Sequence, residues 1–420
     1  MNSFIIAGII LLTFVLFILG SQKRFFLSPA LVGCFFWSLA CFISVVRMDD
    51  RTQDFSTIVT PSYIISFAIV TVLGFTLSRL FSIGKACPKL DIEQLVLLRK
   101  KYNYILILCF ISGLIRMVYT FSQGGIVSLL NYREASLLLS SSSNPFIVNF
   151  IRVSGHLSVL GTFYILICAY IDGYTIIKPA SFLKNFVMYG MIVASQGGRT
   201  FTMVYLLSYF FAYIFGHIHS GKKYTKKNIR IIFGCLVVPI LYFSVIGSFR
   251  NTSVDELQES SISRTRSVLS AFYYITEGVH VTDKAMQFVN AFNTYDMGRD
   301  TFTSYKGNTY SQFRESLNGT PDWCNVDSIV VHMYCDFGRN GSLIVWMVIC
   351  IIGEILFNQF IRNGSILSFF MSYAIVYIFL YSTIGNPIPA AFRIMVEWII
   401  ILQIFSSKLM LKSRNKARYK

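Results

Sequence analysis

Apolar runs long enough to cross a bilayer recur from one end of this chain to the other, and nothing else in it constrains the fold as much. A helical span needs about 20 mostly apolar residues, because in hydrocarbon every backbone N–H and C=O must find its partner inside the segment. Such runs lie at 2–19, 27–46, 61–81, 104–121, 146–171, 231–249, 341–357 and 366–384, with a last one ending near Phe405. The stretch 186–215 is too long for one span and short for two. Ser195-Gln196-Gly197-Gly198-Arg199-Thr200 interrupts it, so it reads as two short helices meeting at a polar break. The expected fold is therefore an all-α polytopic membrane protein with about eleven transmembrane helices. Charged residues make up 14% of the chain, against roughly a quarter in soluble domains. The first run has no basic residues ahead of it and no small-residue cleavage pattern behind it, so it reads as a retained span and not a signal peptide.

The formal net charge of +17 would suit a nucleic-acid binder if the basic residues formed one patch. Instead they fall in alternate short links. Lys85, Lys89, Arg99, Lys100 and Lys101 form one group; Lys178 and Lys184 another; Lys222, Lys223, Lys226, Lys227 and Arg230 a third; then come Arg362 and the tail from Lys408 to Lys420. Cytoplasmic links carry this excess of Lys and Arg. The pattern predicts an N-terminus outside, a C-terminus inside, a lipid bilayer as partner and no nucleic acid.

One segment departs from the rhythm of spans. Residues 250–340 are polar and hold many of the chain's acids, and they divide the chain into N-terminal helices (1–249), a large outer loop (250–340) and C-terminal helices with a basic tail (341–420). Several polar groups fall on the same outer side. They are Arg133-Glu134, Arg152 with His156, Arg199, Arg250, Arg339, and Arg393 with Glu397. The two pairs spaced four apart have a bland reading as intramembrane partners. Arg133 and Arg199 lie in polar breaks, which favours a functional role. Guanidinium groups pair bidentately with phosphate oxygens, so arginines gathered at an outer membrane face point to a lipid diphosphate. Asp283, Asp296, Asp300, Asp322, Asp327, Asp336 and His332 are candidate bases, although most loop acids read as solvated surface. Tyr295, Tyr305, Tyr310 and Trp323 would either stack on sugars or sit at the membrane interface.

The chain has no phosphate-binding loop, dinucleotide fingerprint or His-Glu-x-x-His zinc site, so no cofactor and no metal are expected. Cys34, Cys41, Cys109, Cys168, Cys235 and Cys350 lie in apolar runs and read as small apolar residues. A disulfide between Cys324 and Cys335 is left open, since spacing alone does not establish geometry.

Three short segments carry a resemblance. They are Asn131-Tyr132-Arg133-Glu134-Ala135, Gly197-Gly198-Arg199-Thr200 and Asp336-Phe337-Gly338-Arg339-Asn340-Gly341. Together with many spans and one large outer loop in the C-terminal half, they resemble the O-antigen polymerases (Wzy-type oligosaccharide repeat-unit polymerases). The paired arginine–glycine spacing described for some members is absent from both loops. The resemblance implies a GT-C-like, metal-independent glycosyltransferase of lipopolysaccharide biosynthesis in the bacterial inner membrane. It would join undecaprenyl-diphosphate-linked oligosaccharides at the periplasmic face, with the diphosphate lipid as leaving group and a chain-length regulator as partner. Arg133, Arg199, His332 and Asp336 are then the catalytic candidates, and Arg152, Arg250, Arg339 and Arg393 the diphosphate-binding ones. An O-antigen ligase would share these features, and a polysaccharide flippase or transporter is a further alternative, although no internal repeat of the transporter kind is visible.

Overall fold

The computed structural model describes residues 2–21, 28–47, 59–81, 92–130, 144–175, 179–194, 199–221, 270–292, 295–303, 305–318, 327–363, 366–383 and 385–418. Every regular element among them is helical. In chain order they are α1 (Asn2–Ser21), α2 (Pro29–Arg47), α3 (Val59–Ser78), α4 (Ile92–Lys101), α5 (Tyr104–Leu130), α6 (Pro145–Thr175), α7 (Pro179–Ala194), α8 (Arg199–Ser220), α9 (Ser270–Phe292), α10 (Arg299–Phe302), α11 (Asn308–Leu317), α12 (Ile329–Asn363), α13 (Ile366–Tyr381) and α14 (Ile388–Arg418). Five of these are long and apolar enough to cross a membrane: α1, α3, α5, α6 and α12. That suits a multi-pass membrane protein.

The predicted runs coincide with helices wherever they fall on described residues; α7 ends at Ala194 and α8 begins at Arg199, and the residues of the expected break between them lie outside the described residues. The run 231–249 and the loop residue Arg250 lie outside the described residues. One expectation is corrected. The helix of the run 104–121 does not end there but continues to Leu130. Gly124 and Gly125 weaken a helix interior by roughly 1 kcal/mol each without ending it. The segment 250–340, whose secondary structure the sequence leaves open, holds α9, α10, α11 and the start of α12. In α9, buried Val279, Thr282, Met286 and Val289 recur at helical spacing, but interleaved polar residues hide them from a search for apolar runs.

The helices form two compact units, 1–89 with 272–420, and 90–271. In the first, α3 and α12 share an aromatic seam. Phe67 stacks on Trp346 with centroids 4.5 Å apart, and Trp346 Nε1 donates to Thr71 Oγ1 at 2.8 Å. Trp37 of α2 donates through Nε1 to Ser382 Oγ at 3.0 Å. Each tryptophan thus places its one polar atom on a hydroxyl while its rings fill the core. Pro29 opens α2, where its missing N–H costs nothing. The next N–H, of Ala30, donates to Glu354 Oε1 of α12 at 2.8 Å, so a buried acid meets the positive end of a helix.

In the second unit, α6 and α8 approach backbone to backbone. A Cβ built on Gly173 would strike the carbonyl oxygen of Tyr213, and one built on Gly216 the carbonyl oxygen of Tyr170. This reciprocal contact of small residues is how helices pack closely without a hydrophobic drive between them. Gly216→Val is expected to lower stability by about 1–3 kcal/mol through overpacking, whereas Gly190→Ala, which meets open space inside α7, should raise it by up to about 1 kcal/mol. Thermal unfolding of the two purified variants in one detergent checks this, and equal melting temperatures would refute the close contact.

Candidate functional site

Within the first unit the polar residues of 295–338 fold into one module, and it begins where a helix stops. α12 breaks at Gly338, whose φ of 65° and ψ of −168° lie outside helical space. Only glycine occupies that region without strain, and a Cβ there would also press on the Tyr295 ring at 2.6 Å. The break strips two carbonyls of their helical partners. Backbone N–H groups from a different stretch replace them: Asp296 N donates to Cys335 O at 3.2 Å and Met297 N to Asp336 O at 3.1 Å.

Carboxylates then answer the free N–H groups on the other side. Asp336 accepts from Asp300 N at 3.2 Å and from Thr301 N at 2.6 Å, which caps α10. Asp296 accepts from Asn308 N at 3.0 Å, Thr309 N at 2.8 Å and Tyr310 N at 3.2 Å. It caps α11, whose own N-cap residue Gly307 has no side chain to do so. Asp300 Oδ1 takes the Gly307 N–H at 3.0 Å. Asn386, in the turn before α14, donates to the carbonyls of Asp300 at 2.7 Å and Thr301 at 3.1 Å. Burial lifts the Asp300 carboxyl to about 6, against the Gly307 hydrogen bond and with help from the nearby Asp336 charge.

A second cluster adjoins it. Asp327 accepts from Tyr310 Oη and from Arg314 Nη1, the latter at 2.9 Å. His332 lies stacked on Tyr310 with centroids 4.6 Å apart, and its Nε2 is 3.9 Å from Asp327 Oδ2. Lys306 Nζ sits over the same Tyr310 ring, 4.1 Å from its centroid, a cation–π contact. Burial raises the Tyr310 hydroxyl above its ordinary value, and the Asp327 charge raises it further.

These positions revise the reading of the acids. Asp283, Asp300 and Asp336 are buried, not solvated. Asp283 accepts from Thr60 and, at 2.8 Å, from Gln287 Nε2. Both oxygens of Asp336, which the sequence offers as a base, hold backbone N–H groups. Arg339, directly past the break, is exposed. Arg393 is also exposed and pairs with Glu397 at 3.5 Å. Tyr305 is exposed and Tyr310 buried. Cys335 is a buried free thiol; Cys324, Asp322 and Trp323 lie outside the described residues, as does Arg133.

In the second unit Arg152 and His156 lie exposed on α6, and Arg199 is the first residue of α8. Two buried charges there escaped the sequence reading. Arg116 of α5 donates to Ser154 Oγ at 3.4 Å, and Ser154 also meets Ser112 at 2.9 Å. Asp172 of α6 bonds Arg99 Nη1 at 2.6 Å and accepts from Tyr209 Oη at 2.8 Å. With Glu354 in the first unit, these share one legible signal, a lone charge inside an apolar run.

Comparison with protein-family models, with curated proteins and with solved structures finds no match. Gly338→Ala is expected to destabilise the protein by about 1–3 kcal/mol and to expose the module to protease, because the capping of Cys335 and Asp336 depends on the break. Limited proteolysis in detergent is the check, with cleavage at the wild-type rate as the contrary result.

Proposed function

We propose that this protein is a membrane-embedded glycosyltransferase of the O-antigen polymerase kind, which joins repeat units carried on undecaprenyl diphosphate at the outer face of the bacterial inner membrane. The observation that carries the reading is the segment Asp336–Gly341. It contributes to the resemblance, and it is also the point where a polar, carboxylate-capped module passes through a glycine break into an apolar helix. Arg339 is exposed at that junction, which suits a group that meets an anionic headgroup.

Glycosyl transfer from a lipid diphosphate needs charge stabilisation of the departing diphosphate. Arginines serve this better than lysines because their planar fork matches two phosphate oxygens at once. The candidates for that charge are Arg339 and Arg393 in the first unit, both exposed, and, taken separately, Arg133, Arg152, Arg199 and Arg250 of the second. The acceptor hydroxyl needs a base. Asp336 is committed to backbone N–H groups, and His332 is stacked under Tyr310 with its Nδ1 lacking a hydrogen-bond partner. His332 is accordingly the one of the two with an uncommitted nitrogen.

The test is a lipopolysaccharide gel from a strain lacking the gene, with and without complementation. Core bearing a single repeat unit, with the ladder restored by the wild-type gene, supports the polymerase. Bare core with polymer retained on the carrier would assign a ligase instead. An unchanged ladder would reject both and bring transport forward. In the complemented strain, Arg199→Ala and Arg339→Ala are each expected to cut polymerisation by about 10²–10³, the usual effect of removing one preorganised charge donor. A ladder of normal length from either variant would remove that residue from the mechanism.

A further inference from the structure

The three carboxylates that cap the module lie close together. One oxygen from each of Asp296, Asp300 and Asp336 falls within 4.8 Å of the other two. Asp300 and Asp336 are buried and Asp296 half-buried. Three negative charges at this spacing repel strongly where water is scarce, and Lys306 is the cation that bears on Asp300.

One further feature points to a ligand. Asp300 is 97% buried, and its Oδ2 has no hydrogen-bond partner although Oδ1 holds the Gly307 N–H. A buried oxygen left bare costs about 1–3 kcal/mol, more when it is charged. The capping hydrogen bonds engage both oxygens of Asp296 and of Asp336 and fix the orientation of each carboxylate. A carboxylate has about four lone-pair sites, so each retains acceptor capacity.

We propose that Asp296, Asp300 and Asp336 bind a hard divalent cation of the Ca²⁺ or Mg²⁺ class, which ties the α10 turn to the end of the first segment of α12. The donor set is all carboxylate oxygen, which suits these ions and disfavours zinc or copper. With three protein ligands, water completes the shell, and the affinity belongs with extracellular sites of about 10⁻⁴–10⁻³ M. The cation's task is structural. It neutralises the cluster and satisfies Asp300 Oδ2, and it stands independently of the polymerase reading. The sequence concealed the site because Asp336 lies far along the chain from Asp296 and Asp300, and the break at Gly338 brings the two stretches together.

The experiment uses the full-length protein in detergent, stripped with EDTA and titrated with CaCl₂ or MgCl₂ at constant ionic strength. The wild-type melting temperature is expected to rise by roughly 2–4 °C, saturating in the millimolar range. Asp300→Asn, which keeps an acceptor for the Gly307 N–H, should show no rise. In a parallel measurement on the wild type, Fe²⁺ with ascorbate should cut the backbone beside 296–301 and 336, and excess Mg²⁺ should suppress the cuts. This second reading needs no variant, so it decides the matter if Asp300→Asn does not accumulate. A melting temperature that ignores both ions, an equal rise in Asp300→Asn, or cuts confined to other segments would each overturn the site. The first of these outcomes would mean that a shared proton, not a metal, relieves the cluster.

Discussion

The break of α12 at Gly338 is the constraint on which the polar part of the first unit depends. A helix that stops in the interior leaves carbonyls that water cannot reach, and burying them unpaired is costly. Here the N–H groups of Asp296 and Met297 close the end of the first helical segment. Asp336, one residue before Phe337, returns the favour by capping α10. Asp296 does the same for α11. The break, the turn and the two short helices are therefore one cooperative object, because each supplies the partner the next one lacks. Placing three carboxylates together is the electrostatic consequence of that economy of caps.

The apolar helices meet a different version of the same problem. A charge inside an apolar helix persists only with a partner. Glu354 finds the N–H of Ala30 at the start of α2. Asp172 finds Arg99 and Tyr209, and Arg116 finds Ser154. These contacts fix the rotation of each helix about its axis, since a polar side chain can face only the neighbour that completes it. The tryptophans at 37 and 346 add the same specificity through their single N–H groups. Positioning in this fold thus rests on a few polar contacts set in a large apolar background, as expected where hydrophobic association between helices is weak.

Much of the frame was legible in the linear chain. The boundaries of α2, α3, α6 and α13 follow from apolar run length and from proline or glycine punctuation, which are local properties. The extension of α5 past Gly124-Gly125 was not legible, because glycine weakens a helix without ending it. Nor was α9, where Asp283 is interleaved with Val279 and Met286. Its carboxylate reads as solvent-facing until Thr60, far away in sequence, is seen to donate to it. Glu354, Asp172 and Arg116 were visible as isolated charges, but their partners were not.

By itself, the sequence determined that this chain is helical with runs long and apolar enough to cross a membrane, that its basic links alternate with bare ones, and that acids concentrate near residues 295–341. Each of those facts depends on neighbours within a turn or two of helix, or on composition. The tertiary structure alone decided which acids are buried, that Asp336 holds backbone and not solvent, that His332 lies under Tyr310, and that Asp296, Asp300 and Asp336 share one space. Those outcomes depend on where a helix break sends the chain, and on which distant N–H groups then need an acceptor. No local pattern encodes such a pairing, because it is set by the hydrogen-bond accounting of the whole folded unit.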